Sequence, residues 1–293
     1  MIDRVLSIVK SILLHGLDGC LVEVQVDVSA GIPNFEIVGL PDASIREARE
    51  RIKTAIKNSG FRLNSRKIVV NLAPATKKKE GSIFDLPIAI GVLSANQLIR
   101  SNYENTVFIG ELSLDGKVNK INGVLPMCIE LVKLGVKKVI LPVENAKEAS
   151  VVKDIEIIPV SSLQQTVKYL NNEINIKSTH MPFSNLITEQ GKDIVDFSEV
   201  KGQKNIKRAV EVAASGSHNV LMIGSPGSGK TMIARRIPTI LPDLSFEESL
   251  EATKIHSVAG NLSENMPVIC KRPFRTPHHT ISSVALVGGR KIS

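Results

Sequence analysis

The stretch that decides the fold is Gly224-Ser225-Pro226-Gly227-Ser228-Gly229-Lys230-Thr231. It matches G-x-x-x-x-G-K-[ST] at every fixed position, which is the pattern of the phosphate-binding P-loop. Glycines let such a loop curl until its backbone N–H groups point at phosphate oxygens, and a following helix adds partial positive charge. We therefore expect a nucleoside triphosphate to bind here with Mg²⁺, with Lys230 on the β- and γ-phosphates and the Thr231 hydroxyl on the metal ion.

The residues on either side of this loop have the expected pattern. Residues 218–223 predict a short buried strand, and residues 232–237 predict a helix that ends at Pro238. A strand, a glycine-rich loop and a helix form the arrangement that a P-loop requires. This context favours the P-loop over the alternative of a chance loop rich in glycine and serine.

The composition is typical of a globular protein with two domains. The chain has 293 residues, of which 43% are hydrophobic and 23% charged, and no apolar run reaches the length of a transmembrane helix. Its opening residues lack the pattern of a signal peptide. The three cysteines lie far apart, which predicts a reducing compartment, no metal cluster and a cytoplasmic location. They are Cys20, Cys128 and Cys270.

The net charge of +8 is unevenly distributed. Residues 46–79 contain eleven basic and two acidic residues, and residues 271–293 contain five basic residues and no acid. Both segments fit an anionic partner such as DNA, although the first fits an ordinary solvated surface equally well. There, Arg46 and Glu50 have the spacing of an ion pair along a helix. Because only 3% of residues are aromatic, we expect any DNA contact to be mostly to phosphates.

Residues 1–170 predict a mixed α+β domain. Residues 21–28 alternate as a strand with one buried valine face, and residues 44–57 predict a helix that a Ser44–Glu47 capping box begins. A polar stretch over residues 171–195 predicts a linker, after which a helix is expected over residues 204–215. The other predicted elements are strands at 67–72, 106–109 and 138–141, a hairpin at 111–118 and a helix at 124–134.

Several segments occur in the order of a known family. The chain resembles the ComM/YifB family of magnesium-chelatase-like AAA+ ATPases. This resemblance implies a Lon-protease-like α+β domain with a ribosomal S5 domain 2-like fold (residues 1–170), a linker (171–195) and a partial α/β P-loop AAA+ module (196–293). Besides the P-loop, the segments are Val38-Gly39-Leu40-Pro41-Asp42, Asn71-Leu72-Ala73-Pro74, Asp196-Phe197, Val200, Gly202-Gln203, Arg208-Ala209, residues 255–260 and residues 272–282.

The resemblance also implies a function. The family is associated with a hexameric, ATP-dependent DNA motor that acts in branch migration during natural transformation. The resemblance implies that Val200, Gly202 and Gln203 lie near the adenine of ATP. It also implies that the segment from Arg272 to His279 projects toward a central pore. The candidate DNA contacts are Arg272, Arg275, His278 and His279, in a stretch with no acid nearby in sequence. Adjacent histidines on a strand point to opposite faces, which disfavours a metal site.

A Lon-like domain raises the question of peptidase activity, because Lon proteases use a Ser–Lys dyad. On the family's pattern the nucleophile position holds Ile83, with Ser82 one residue early, and the lysine position holds Leu125. We therefore expect a Lon-like fold without peptidase chemistry.

The sequence after the P-loop contains no apolar strand that ends in the carboxylate an ATPase needs, and no arginine finger is identified. We interpret the chain as C-terminally truncated and expect it not to hydrolyse ATP alone. Two alternatives stay open. One is a non-catalytic protein-interaction module with a vestigial P-loop, and the other is a metal-insertion ATPase of the magnesium chelatase type.

Overall fold

The computed structural model describes residues 5–63, 66–181, 195–262, 266–278, 280–282 and 284. The chain divides into two compact units. The first comprises Met1–Glu189 and Glu251–Val268, and the second comprises Gln190–Leu250 and Ile269–Ser293. Within the predicted linker, residues 171–181 form neither helix nor strand, and residues 182–194 lie outside the described ranges. None of the helices in the described ranges combines the length and the apolar character needed to cross a bilayer.

Within residues 5–181, the described residues of the first unit form a large sheet, a two-stranded hairpin and five α-helices. The strands are β1 (Val5–His15), β2 (Asp18–Ser29), β3 (Asn34–Val38), β4 (Lys67–Ala73), β5 (Thr106–Phe108), β6 (Glu111–Leu112), β7 (Val118–Asn119), β8 (Lys138–Pro142) and β9 (Glu156–Val160). The helices are α1 (Ala43–Asn58), α2 (Asp85–Ala95), α3 (Val124–Lys133), α4 (Ala146–Ala149) and α5 (Leu163–Leu170).

Seven strands form one mostly parallel sheet in the order β3-β4-β2-β1-β5-β8-β9. Only the β4–β2 and β2–β1 pairs are antiparallel, and β6 pairs with β7 in a separate hairpin. This is a mixed α/β architecture. The predicted strands at residues 21–28, 67–72, 106–109 and 138–141 are confirmed to within a few residues, as are the hairpin at 111–118 and the helix at 124–134.

Alternation along β2 places Val22, Val24, Val26 and Val28 in the core, as the sequence predicts. Helix α1 likewise buries the expected apolar stripe. The predicted capping box is wrong, because the helix begins two residues earlier than Ser44 suggests. Asp42 is the N-cap residue, and its carboxylate accepts a 2.8 Å hydrogen bond from the Ile45 backbone N–H.

Sequence patterns predict neither β1 nor α2, two of the most central elements. Helix α2 packs against β1 and β2 and is buried along almost its whole length. It therefore has no polar face, so its sequence lacks the amphipathic periodicity by which a helix is predicted. Gly91 permits the close approach, because a Cβ atom there would lie 2.6 Å from a methyl group of Val26.

Helix α2 begins with a buried carboxylate. Asp85 is 1% exposed and accepts two hydrogen bonds from the Arg51 guanidinium, at 2.7 and 3.0 Å, and one from the Leu112 backbone N–H. Burial raises the pKa of Asp85 to about 6, against the opposing effect of Arg51. This ion pair joins α1 to α2 across the first unit.

The second unit is built around α6 (Lys204–Ser215) and α7 (Lys230–Arg236). The next helix, α8 (Phe246–Val258), begins in the second unit, and its residues from Glu251 onward belong to the first unit. The strand predicted at residues 218–223 is wrong. That segment forms no strand, and both Leu221 and Ile223 are more than 80% exposed. The reason is physical: a strand exists only where its backbone pairs with a neighbour, and no described segment pairs with this one.

Candidate nucleotide-binding site

The P-loop residues form a curled loop ahead of α7. Gly227 and Gly229 have φ angles of +80° and +87°, a conformation that glycine adopts without the cost of a Cβ atom. Gly229 is the N-cap residue of α7, so the loop and helix meet as the motif requires. Residues 223–228 are exposed, which leaves their backbone open to a ligand.

Lys230 turns back into this loop. Its ammonium donates hydrogen bonds to the carbonyl oxygens of Gly224 and Ser225, at 2.9 and 2.8 Å, and lies 3.3 Å from the Ser228 hydroxyl. The positive charge therefore lies within the curl of the loop. Thr231, the next residue, is exposed.

A small core holds the loop and its helix in place. Ile233 of α7 is buried against Phe197, Val200 and Val210. The Phe197 backbone N–H also donates a 3.1 Å hydrogen bond to the hydroxyl of Thr239, which follows α7. This packing fixes the start of the second unit against the end of α7.

An ion pair strengthens the same junction. The Arg236 guanidinium donates to the Glu199 carboxylate, with its Nε atom at 3.1 Å, and also donates to the Met232 carbonyl. No sequence pattern predicts this pair, because its members lie 37 residues apart and no local motif links them.

The three residues expected near adenine differ in their exposure. Val200 is fully buried in the small core, whereas Gly202 and Gln203 are exposed. Gly202 and Gln203 have φ angles of +66° and +53°, so the chain reverses sharply before α6. The buried side chain of Val200 therefore holds in place the exposed turn that Gly202 and Gln203 form.

The basic segment after residue 271 has closer acidic neighbours than the sequence suggests. Arg272 donates to both carboxylate oxygens of Glu248, each at 3.1 Å, and to the Pro242 carbonyl, so an acid that is distant in sequence lies beside it. Hydrogen bonds from the Ser245 backbone and then from Arg272 hold the pKa of Glu248 below its usual range. Arg275 and His278 are exposed, and His279 lies outside the described residues.

The His278 ring also has a local partner. Its Nδ1 atom lies 2.7 Å from the Thr280 hydroxyl. Among the residues that the structure describes, no group of three or more His, Cys, Asp or Glu side chains could hold a metal ion.

The candidate peptidase positions lie in the first unit. Ile83 and Leu125 are buried. Ser82 lines a cavity of about 640 Å³ that also contains Glu111 and Lys120. The Ser82 hydroxyl donates to Glu111, while the Lys120 ammonium donates to the Leu262 carbonyl at 2.9 Å. The serine and the lysine therefore each have a different partner.

Comparison with known proteins gives matches over most of the chain. A model described as subunit ChlI of Mg-chelatase matches residues 24–145, and a second, described as magnesium chelatase, subunit ChlI, matches residues 196–293. Competence protein ComM of Haemophilus influenzae is 38% identical over 98% of the chain, and YifB of Escherichia coli is 37% identical over 98%. A protein of Mycobacterium tuberculosis is 42% identical over 95%.

The chain belongs to the ComM/YifB-like family. More distant similarity, at 30% and 28% identity over 57% of the chain, links it to Lon protease 2 of Bacillus subtilis and to DNA repair protein RadA of Halalkalibacterium halodurans. These matches support a family of the AAA+ ATPase type. The chain spans 55–56% of the length of the ComM, YifB and mycobacterial relatives.

Proposed function

We propose that this member of the ComM/YifB-like family binds ATP and Mg²⁺ through the P-loop, as part of a motor that acts on DNA. The observation that carries the proposal is the curled loop at residues 224–231, with its lysine ammonium inside the curl. A triphosphate would accept hydrogen bonds from the loop amides and from Lys230, which would exchange its carbonyl partners for phosphate oxygens.

The remaining nucleotide contacts would come from the residue after the lysine and from the turn before α6. The Thr231 hydroxyl would ligate Mg²⁺, because it follows the lysine directly and is exposed. Gly202 and Gln203 would contact adenine from an exposed turn, and Val200 would support that turn from the core.

The finer architecture is also part of the proposal. We assign the first unit to a Lon-like fold without peptidase activity and the second to part of an AAA+ module. The similarity to Lon protease 2 and the magnesium chelatase model over residues 196–293 support these assignments. The separate partners of Ser82 and Lys120 favour a domain that does not use a Ser–Lys dyad.

Lys230→Ala tests the nucleotide site. The substitution removes a charge-assisted contact of about 1.5–3 kcal/mol, so we expect a fluorescent ATP analogue to bind about tenfold more weakly or worse. Arg235→Ala is the matched control, because it removes an exposed cation from the same helix outside the loop. Equal affinities for Lys230→Ala and the parent chain would refute the site.

The DNA role rests on the basic segment after residue 271 and on the names of two relatives, a competence protein and a DNA repair protein. We propose that Arg272, Arg275, His278 and His279 contact DNA phosphates. The ion pair of Arg272 with Glu248 does not oppose this role strongly, because both side chains are partly exposed and exposed ion pairs exchange readily.

Replacing both Arg272 and Arg275 by alanine should weaken duplex binding and its salt dependence. Loss of two phosphate contacts should lower the slope of log K against log salt by about 2. Titration at several salt concentrations measures that slope, with Lys77→Ala and Lys78→Ala as the control pair. An unchanged slope would place the duplex contacts elsewhere, and a parent chain that binds no DNA at low salt would favour a protein-interaction module.

A further inference from the structure

Eleven basic residues lie between positions 46 and 79, but the structure separates them into different roles. Lys79 is fully buried, and its ammonium donates to the Pro74 carbonyl. Arg51 pairs with Asp85, and Glu50 pairs with Arg49 and Lys53 rather than with Arg46 as the sequence suggests. Lys78 pairs with Glu80. The cluster is therefore not one uniform surface.

Three of the remaining cations line a single groove in the first unit. Lys57 comes from the last turn of α1, and Arg62 and Arg66 come from the connection between α1 and β4. All three are exposed, and no ion pair or side-chain hydrogen bond engages them within the described residues. They are the groove's available positive charges.

The groove also has an apolar floor and a fourth cation. Pro33, Phe61 and Leu63 give an apolar surface that solvent reaches, and the buried ring of Phe35 lines the same groove. Lys53 lies 5.6 Å from the centre of that ring and is already paired with Glu50. None of the described lining residues is acidic.

We propose that this groove binds single-stranded nucleic acid, with Lys57, Arg62 and Arg66 against the phosphates and exposed bases against the apolar floor. Charge complementarity requires an anion, because the lining carries cations and no described acid. An apolar floor favours a single strand, because duplex bases are stacked inside the helix and present no free face. The volume of about 480 Å³ lies in the range of sites for small ligands, roughly 300–1,000 Å³, and so admits a nucleotide unit rather than a whole duplex.

The groove is a second site, separate in sequence from both the P-loop and residues 272–279. The choice of nucleic acid over another polyanion rests on the proposed DNA role, whereas the demand for an anion rests on the groove alone. The site draws on β3, α1 and the residues that precede β4, three segments that meet because β3 pairs in parallel with β4, Asn34 opposite Lys67.

The test is a triple charge reversal, Lys57→Glu with Arg62→Glu and Arg66→Glu, in the full chain. Binding of a short fluorescein-labelled single strand is followed by anisotropy at several salt concentrations. Loss of three contacts should weaken binding by about tenfold or more and lower the slope of log K against log salt by about 2, at roughly 0.7 per contact for single strands. Binding of the fluorescent ATP analogue should stay unchanged and thermal unfolding should stay cooperative, which shows that the variant is folded.

The matched control changes net charge equally at a different place. Lys137→Glu with Lys147→Glu and Lys153→Glu reverses three exposed lysines of the same unit that line no part of the groove. An equal loss in this control would overturn the groove, because general charge would then explain the effect. Displacement of the strand by polyglutamate of equal charge would also overturn it, in favour of an acidic protein partner. Unchanged binding in the groove variant refutes the groove alone, whereas a parent chain that binds no nucleic acid refutes the DNA role with it.

Discussion

Arg51→Met should lower the free energy of unfolding by about 3–5 kcal/mol at pH 8, because it leaves the buried Asp85 carboxylate without its cation. Two hydrogen bonds from Arg51 offset the burial of that charge in the parent chain. In the variant only the Leu112 backbone N–H remains among the described donors. Urea denaturation of the parent and the variant measures the loss.

The stability cost of Arg51→Met should also depend on pH. Burial raises the folded-state pKa of Asp85 to about 6, above the ordinary value of 3.8, so protonation stabilises the folded state. That contribution is fully present below about pH 4 and is lost as the pH rises through 6. Because a protonated Asp85 needs no cation, the cost of Arg51→Met should shrink between pH 8 and pH 5.

Two control variants test whether the loss of stability comes from the Arg51–Asp85 ion pair. Arg49→Met removes an arginine of the same helix whose partner Glu50 is exposed, and should cost under about 1 kcal/mol. The double variant Arg51→Met with Asp85→Asn removes the titrating group, so its stability relative to the parent should not show the recovery at pH 5 that Arg51→Met alone shows. An equal cost for Arg51→Met at both pH values would contradict the assignment of the effect to the Asp85 charge.

Gly39→Ala should cause the second large loss of folding stability. Gly39 follows β3 with a φ angle of +97°, and a Cβ atom there would lie 2.3 Å from the Leu72 carbonyl oxygen of β4. The neighbour is backbone of a strand that is paired on both sides, and it cannot move aside as a side chain can. We expect a loss of about 2–5 kcal/mol, from a strained backbone and from overpacking together.

Gly60→Ala separates these two causes. Gly60 has a similar φ angle of +87°, but a Cβ atom there would meet nothing within 4 Å. It should therefore cost only about 1–2 kcal/mol, the price of the left-handed conformation. Thermal and urea unfolding of both variants give the difference, and equal losses would show that the contact with Leu72 contributes nothing.

The turn after β3 brings three structural roles together in residues 38–42. Gly39 lets the chain pass close to β4, and Asp42 then begins α1. The second Asp42 carboxylate oxygen accepts a 3.2 Å hydrogen bond from the Gly81 backbone N–H. One short segment thus joins the sheet edge, the first helix and the connection that leads to α2.

Local sequence determined the parts of the protein whose geometry depends on neighbouring residues. The P-loop curls because its own glycines adopt left-handed conformations and its own lysine returns to carbonyls five and six residues earlier. The valines of β2 alternate with the pleat, and the stripe of α1 follows the helical period. Each of these patterns can be read in sequence because every interaction involved is short in range.

Tertiary structure alone decided the features that depend on residues distant in sequence. Residues 218–223 have a strand pattern and form no strand, because pairing needs a second segment. Helix α2 carries no periodic signal because all its faces are buried. Ion pairs such as Arg51–Asp85 and Arg272–Glu248 join residues 34 and 24 positions apart. Electrostatic and packing energies depend on distance in space, so the cations that stay available for a ligand are known only after folding has paired the others.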